Sequence, residues 1–96
     1  ALGVDADVYC FGCTVFHLLA ARPPYTGATS NDLLNKHLAA PVPLIEAYNR
    51  NVSPAFSQLL QSMMAKRPKQ RLPDMNEFIR QLKVTPVFKD QPVQKS

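Results

Sequence analysis

A long apolar run near the start of the chain constrains its fold more than any other feature. From Val8 to Ala21 nearly every residue is apolar, so a helix here would be hydrophobic almost all the way round. Such a helix belongs in the interior of a domain, and Asp5 or Asp7 is predicted to cap it. The prolines that follow at 23 and 24 end it, because they cannot supply helical amide hydrogens. The run is shorter than the roughly 20 residues that span a membrane, so we expect no membrane segment in these residues. We expect a cytoplasmic location, although a parent protein could be anchored in a membrane through other segments.

Three shorter helices are predicted after this run. The second begins near Thr29 or Ser30, the third at Ser53 with Pro54 in its first position, and the fourth at Asp74. Their apolar stripes are Leu33, Leu34, His37 and Leu38; then Phe56, Leu59, Leu60, Met63 and Met64; then Met75, Phe78, Ile79 and Leu82. The segment 41–51 has no helical period and is interpreted as an ordered loop. With nine prolines and three glycines, the chain is predicted to be all-α, with about four helices and ordered proline-rich loops.

The charge of the chain gives little reason to expect a nucleic-acid partner. Eleven Lys and Arg residues stand against seven Asp and Glu, a formal charge of +4. Lys66, Arg67, Lys69 and Arg71 crowd one loop, but no aromatic residue is interleaved with them and no groove-entering motif surrounds them. We interpret this loop as a solvated connection; a small nucleic-acid-binding domain, the competing interpretation, would show steeply salt-dependent binding.

The two cysteines are candidates for metal binding or for core packing. Cys10, Cys13 and His17 follow one another at helical spacings of three and four, so they could present metal ligands on one face. Structural zinc usually takes four ligands, and only the distant His37 remains to complete the set. We therefore expect both cysteines to pack as small apolar residues in a reducing compartment, with no metal and no catalytic thiol. The three glycines are too scattered to cradle a nucleotide.

The order of several motifs resembles the C-lobe of protein Ser/Thr kinases, most closely the bacterial receptor-like branch. Residues 4–27, with Asp-Val-Tyr, Phe-Gly-Cys and Arg-Pro-Pro-Tyr in that order, look like the central helix of this lobe and the loop after it. Residues 53–71 resemble its penultimate helix and the arginine-bearing loop, and 74–83 its final helix. The resemblance implies a partial kinase C-lobe over 1–84, with 85–96 as a tail or linker.

The resemblance also implies roles for four residues. Asp7 matches the aspartate whose carboxylate accepts amide hydrogens from the catalytic loop and so supports that loop; a plain helix cap is the alternative. Arg71 matches the arginine that anchors the activation segment through a glutamate. That glutamate is absent here, so Arg71 either faces solvent or pairs with another carboxylate. Thr14 and Leu18 match positions on the helix that supports the adenine pocket.

The groups that a kinase uses for chemistry are absent from these 96 residues. The glycine-rich loop, the strand lysine, the catalytic-loop aspartate and asparagine and the magnesium-binding aspartate do not occur. The resemblance therefore implies a C-terminal fragment that is a scaffold by itself, holding no cofactor, while its parent would use ATP and Mg²⁺. A kinase-like, non-catalytic protein-interaction module is the alternative.

Two kinds of partner are expected for such a fragment. One is the remainder of the kinase domain. The other is a second copy of the chain, because Val8, Phe11, Val15 and Leu18 on the first helix cannot all be covered within the fragment.

Overall fold

The protein is all-α in the part that the structure, a computed structural model, describes, which is residues 4–89. The helices are α1 (Val4–Ala20), α2 (Ser30–Ala39), α3 (Pro54–Met63) and α4 (Met75–Leu82), with short 3-10 helices at Ile45–Ala47 and Pro68–Gln70. This confirms the predicted fold class of four helices. No helix among the described residues is long and apolar enough to cross a membrane.

The predicted starts of the second, third and fourth helices are correct, and the predicted cap of the first helix is wrong. Thr29, Ser53 and Asp74 each accept, through a side-chain oxygen, a hydrogen bond from the backbone amide three residues later, at 3.1, 3.0 and 2.9 Å. Helix α1 instead begins at Val4, ahead of both Asp5 and Asp7. Nothing between residues 4 and 7 breaks a helix, and acidic residues are favourable within the first turn because of the helix dipole.

The core lies where α1 crosses α3. Its buried side chains are Val8 and Phe16 of α1; Phe56, Leu59, Leu60 and Met63 of α3; and Ile45, Val52, Met64, Leu72 and Phe78. Gly12 allows the two helices to approach closely, because a Cβ atom there would lie 2.9 Å from Met64 Cγ and 3.0 Å from Met63 Cβ. A larger residue at position 12 would require these methionines to move.

The apolar stripe predicted for α2 does not pack into the core. None of the residues of α2 is buried; Leu33 and His37 are half-buried, whereas Leu34 is 56% and Leu38 66% exposed. A helical period shows which residues share a face, but it does not show whether another element covers that face. The same correction applies to Ile79 of α4, which is 46% exposed.

Two connecting segments are well ordered around the core. The segment 41–51 is an ordered loop, as predicted, although it contains the 3-10 turn that buries Ile45. Residues 85–89, which the sequence analysis placed in the tail, return to the start of α3: Phe88 forms an antiparallel bridge with Val52, and Ser53 N donates to Val87 O at 2.8 Å. The boundary at residue 84 stays a prediction, and residues 90–96 lie outside the described part.

Candidate functional site

Three of the four predicted site residues lie on one exposed stripe of α1. Asp7, Phe11, Thr14 and Leu18 are spaced four, three and four residues apart, which at about 100° per residue places them on one side of the helix. We call this set the α1 stripe. All four side chains are exposed, Phe11 by 41% and Leu18 by 77%. The Thr14 hydroxyl donates to the carbonyl oxygen of Cys10 at 3.1 Å, so within this chain its polar group is satisfied locally.

An open apolar groove of about 470 Å³ borders the α1 stripe. It is lined by Phe11, Val15, Leu18 and Leu19 of α1, Phe56 of α3, Phe78 and Leu82 of α4, and Val87 and Phe88. The rings of Phe11 and Phe78 meet edge to face, with 5.6 Å between their centroids. As expected, the four apolar residues Val8, Phe11, Val15 and Leu18 are not all covered: Phe11 and Leu18 are exposed, whereas Val8 is fully buried in the core. Val15 is half-buried.

Arg71 lies on another side of α1, apart from the stripe. Its Nε donates to the carbonyl oxygen of Ala65 at 2.9 Å and its Nη2 to that of Lys66 at 3.1 Å. The guanidinium carbon lies 5.1 Å from the centroid of the Tyr9 ring. The side chain is half-buried, which rules out a fully solvent-exposed arginine, one of the two predicted alternatives. The guanidinium therefore binds two backbone carbonyls just beyond the end of α3 and also makes a cation–π contact with the ring of Tyr9.

A second group of polar side chains, which the sequence analysis did not identify, joins α1, α2 and the loop after α3. We call it the Tyr-Lys cluster; it consists of Tyr9, Cys13, Tyr25, His37 and Lys66. Lys66 Nζ donates to Tyr25 Oη at 2.7 Å and to the carbonyl oxygen of His37 at 2.8 Å, while Tyr9 Oη and His37 Nδ1 are 2.8 Å apart. Tyr9 and His37 are 28 positions apart in sequence and Tyr25 and Lys66 are 41 apart, so no local motif signals them.

Burial shifts the pKa of every member of the Tyr-Lys cluster in the direction that favours its uncharged form. It raises the pKa of Tyr9 and of the Cys13 thiol, and that of Tyr25 to about 12. It lowers the pKa of His37 and of Lys66, and for His37 the nearby Lys66 charge acts in the same direction. Removal from water disfavours the charged form of each group, so the pKa values of the tyrosines and the thiol rise and those of His37 and Lys66 fall. The hydroxyls and the Cys13 thiol are therefore protonated at neutral pH and can act as hydrogen-bond donors.

The two cysteines differ in their surroundings. Cys13 is half-buried and packs against the core, as expected. Cys10 is exposed, so the expectation that it packs in the interior is wrong. Cys10 lies next to the α1 stripe around the helix. Within residues 4–89, no three His, Cys, Asp or Glu side chains are grouped so that they could hold a metal ion.

Comparison with known proteins relates this chain to the Ser/Thr protein kinases. No family model matches it. Three curated relatives are the Ser/Thr-protein kinases PknH of Mycobacterium tuberculosis, 32% identical over 66 residues, and PknL of the same species, 33% over 69, and the DNA damage-responsive kinase RqkA of Deinococcus radiodurans, 32% over 71. These matches cover 69%, 72% and 72% of this chain but only 10%, 17% and 11% of the relatives. The chain thus belongs with the Ser/Thr protein kinases at family level, as a fragment of the C-lobe.

Proposed function

We propose that this chain is the C-terminal part of a Ser/Thr protein kinase domain and acts as the scaffold on which the catalytic part of that domain is held. The parent protein would transfer the γ-phosphate of ATP to protein hydroxyls with Mg²⁺, using groups outside these 96 residues. The extent of the kinase-like part, residues 1–84, with 85–96 as a tail, and a cytoplasmic location belong to the same proposal.

The observation that carries the proposal is the exposure of the α1 stripe. The residues to which the resemblance assigns support of the catalytic loop and of the adenine pocket, namely Asp7, Thr14 and Leu18, share one uncovered face. A helix that is apolar nearly all round is normally covered on all sides. In α1 the side away from α3 has no cover among the described residues, and the adjoining groove is apolar. The exposed stripe and the apolar groove beside it support the proposal that further parts of a kinase domain pack on this side of α1.

In this proposal each site residue has a mechanical task in the whole kinase and none touches the transferred phosphoryl group. Asp7 would accept amide hydrogens from the catalytic loop, and such charge-assisted bonds fix a loop better than neutral ones. Leu18 and Thr14 would support the residues beneath the adenine ring. Arg71, whose guanidinium is held in place by two backbone carbonyls and the Tyr9 ring, would anchor the activation segment through a carboxylate.

The alternative is a non-catalytic module that binds another protein through the groove. A chimera distinguishes the two: the segment of Mycobacterium tuberculosis PknH that aligns with this chain over 66 residues is replaced by the residues of this chain that align with it. We expect the chimera to autophosphorylate with Mg-ATP, within about tenfold of PknH, whereas residues 4–89 alone bind no Mg-ATP in a calorimetric titration. A folded chimera that binds Mg-ATP but transfers no phosphate would favour the interaction module and contradict the scaffold.

A further inference from the structure

Helix α2 is attached to the rest of the molecule mainly through polar contacts at its C-terminal end. No residue of α2 is buried. Lys66 Nζ donates to the carbonyl oxygens of Lys36 at 3.0 Å and of His37 at 2.8 Å, which are among the last carbonyls of the helix. The Nδ1 atom of His37 lies within hydrogen-bond distance of the Tyr9 hydroxyl oxygen, at 2.8 Å. Because little apolar area holds α2 in place, the state of these polar groups decides how firmly it is attached.

His37 lies in surroundings that accommodate a neutral ring better than a charged one. Its ring centroid is 4.8 Å from that of Tyr25, and Lys66 Nζ is 4.2 Å from the same Tyr25 centroid. The imidazole and the ammonium group therefore both lie against one aromatic ring. A second proton on His37 would place two positive charges in this half-buried site and would make both ring nitrogens donors.

Among the side chains that the structure describes, the charged groups around His37 do not offset this cost. Lys66 faces it from the loop after α3, Arg71 lies over the Tyr9 ring that His37 also contacts, and Lys36 precedes it on α2. The acidic residue of α2, Asp32, is in the first turn of the helix, at the opposite end. The helix C-terminus attracts cations, but the ammonium group of Lys66 already occupies its carbonyls.

We propose that His37 is a proton-sensitive contact that holds helix α2 in place at neutral pH and releases it in mildly acidic solution. The sign follows from the lowered pKa: burial and Lys66 hold the pKa of His37 below its ordinary value of 6.5. When α2 detaches, the ring regains that ordinary value and takes up a proton more readily. The attachment is therefore complete above pH 6.5 and weakens as the pH falls through and below this value. This inference is independent of the proposed kinase function.

Amide hydrogen exchange of the full 96-residue chain tests the proposal, with protection factors corrected for the intrinsic pH dependence of exchange. Between about pH 7.5 and about pH 5.5 we expect the protection of α2 amides to fall roughly five- to tenfold relative to α3. His37→Asn provides an oxygen that accepts from the Tyr9 hydroxyl but does not titrate, so it should abolish this difference. His17→Asn, which alters the exposed histidine of α1, is the matched control and should behave as the unmodified chain.

The proposal is overturned if α2 and α3 lose protection together in the unmodified chain, or if His37→Asn retains the full pH effect. A measurement on the unmodified chain keeps the test decisive should the variant fail to fold. The ring protons of both histidines are followed by NMR against pH, and we expect His37 to titrate below pH 6.5. A titration of His37 at or above that value contradicts the proposal.

Discussion

The guanidinium of Arg71 lies over the ring of Tyr9, 5.1 Å from its centroid, and thereby joins the loop after α3 to α1. The same side chain binds the carbonyl oxygens of Ala65 and Lys66. Arg71 is thus already positioned in this chain before any activation segment is present. The resemblance to kinases assigns it an anchoring role, and a side chain held in one orientation loses less entropy when a further carboxylate binds it.

Replacing this arginine by lysine should weaken the fold. Arg71→Lys keeps the charge, but an ammonium group cannot reproduce the fork that reaches both carbonyls while it lies over the Tyr9 ring. We expect the free energy of unfolding to fall by about 1–3 kcal/mol, as for a lost hydrogen bond to a charged group. Urea denaturation measures it. Arg67→Lys, at an exposed residue of the same loop, is the control and should change stability by less than about 0.5 kcal/mol; equal effects would contradict the assigned contacts.

A glycine at position 21 should stabilise the end of α1. Ala21 has a φ angle of 61°, the left-handed conformation that glycine adopts without steric cost, and its side chain is exposed. Ala21→Gly should therefore raise the midpoint of thermal unfolding, with a gain of about 0.5–1 kcal/mol. The control Ala39→Gly, at an exposed helical residue of α2, should give no gain, because glycine is unfavourable in a helix. A loss of stability on Ala21→Gly would show that this residue does not hold the left-handed conformation.

Self-association through the α1 stripe is the expected consequence of its exposure. Leu18 is 77% exposed beside the apolar groove, and a second copy that covered this face would remove apolar surface from water. In sedimentation equilibrium, the mean mass of the 96-residue chain should rise with concentration, and Leu18→Lys should abolish the rise. Leu34→Lys, at a leucine of α2 that is 56% exposed and does not line the groove, should leave it unchanged. A monomer at all concentrations would refute the expectation.

The helices could be predicted from the sequence because their signals are local. The caps Thr29, Ser53 and Asp74 lie next to the apolar periods that they precede, and all three are confirmed by their hydrogen bonds. The cap of α1 could not be placed in this way, since two aspartates stand in a segment without a helix breaker and the helix runs through both.

The position of each helix relative to the others was harder to predict. Leu34 and Leu38 have the spacing of a buried stripe but remain exposed, because no element among residues 4–89 covers that side of α2. The Tyr-Lys cluster was missed for a related reason: its members come from separate segments that meet only in the folded chain. The resemblance to kinases drew attention to Asp7 and Arg71, and the structure places them on different sides of α1.

The most direct test of the account concerns Asp7 in the PknH chimera described above. If the α1 stripe positions the catalytic loop, Asp7→Asn should lower kcat for autophosphorylation by about 10- to 100-fold and leave the KM for ATP nearly unchanged, because the amide removes the charge that fixes the loop. Asp32→Asn, which removes an exposed carboxylate from α2, is the matched control and should retain full activity. An Asp7→Asn chimera that phosphorylates as fast as this control would contradict the assignment of the stripe as the support of the catalytic part.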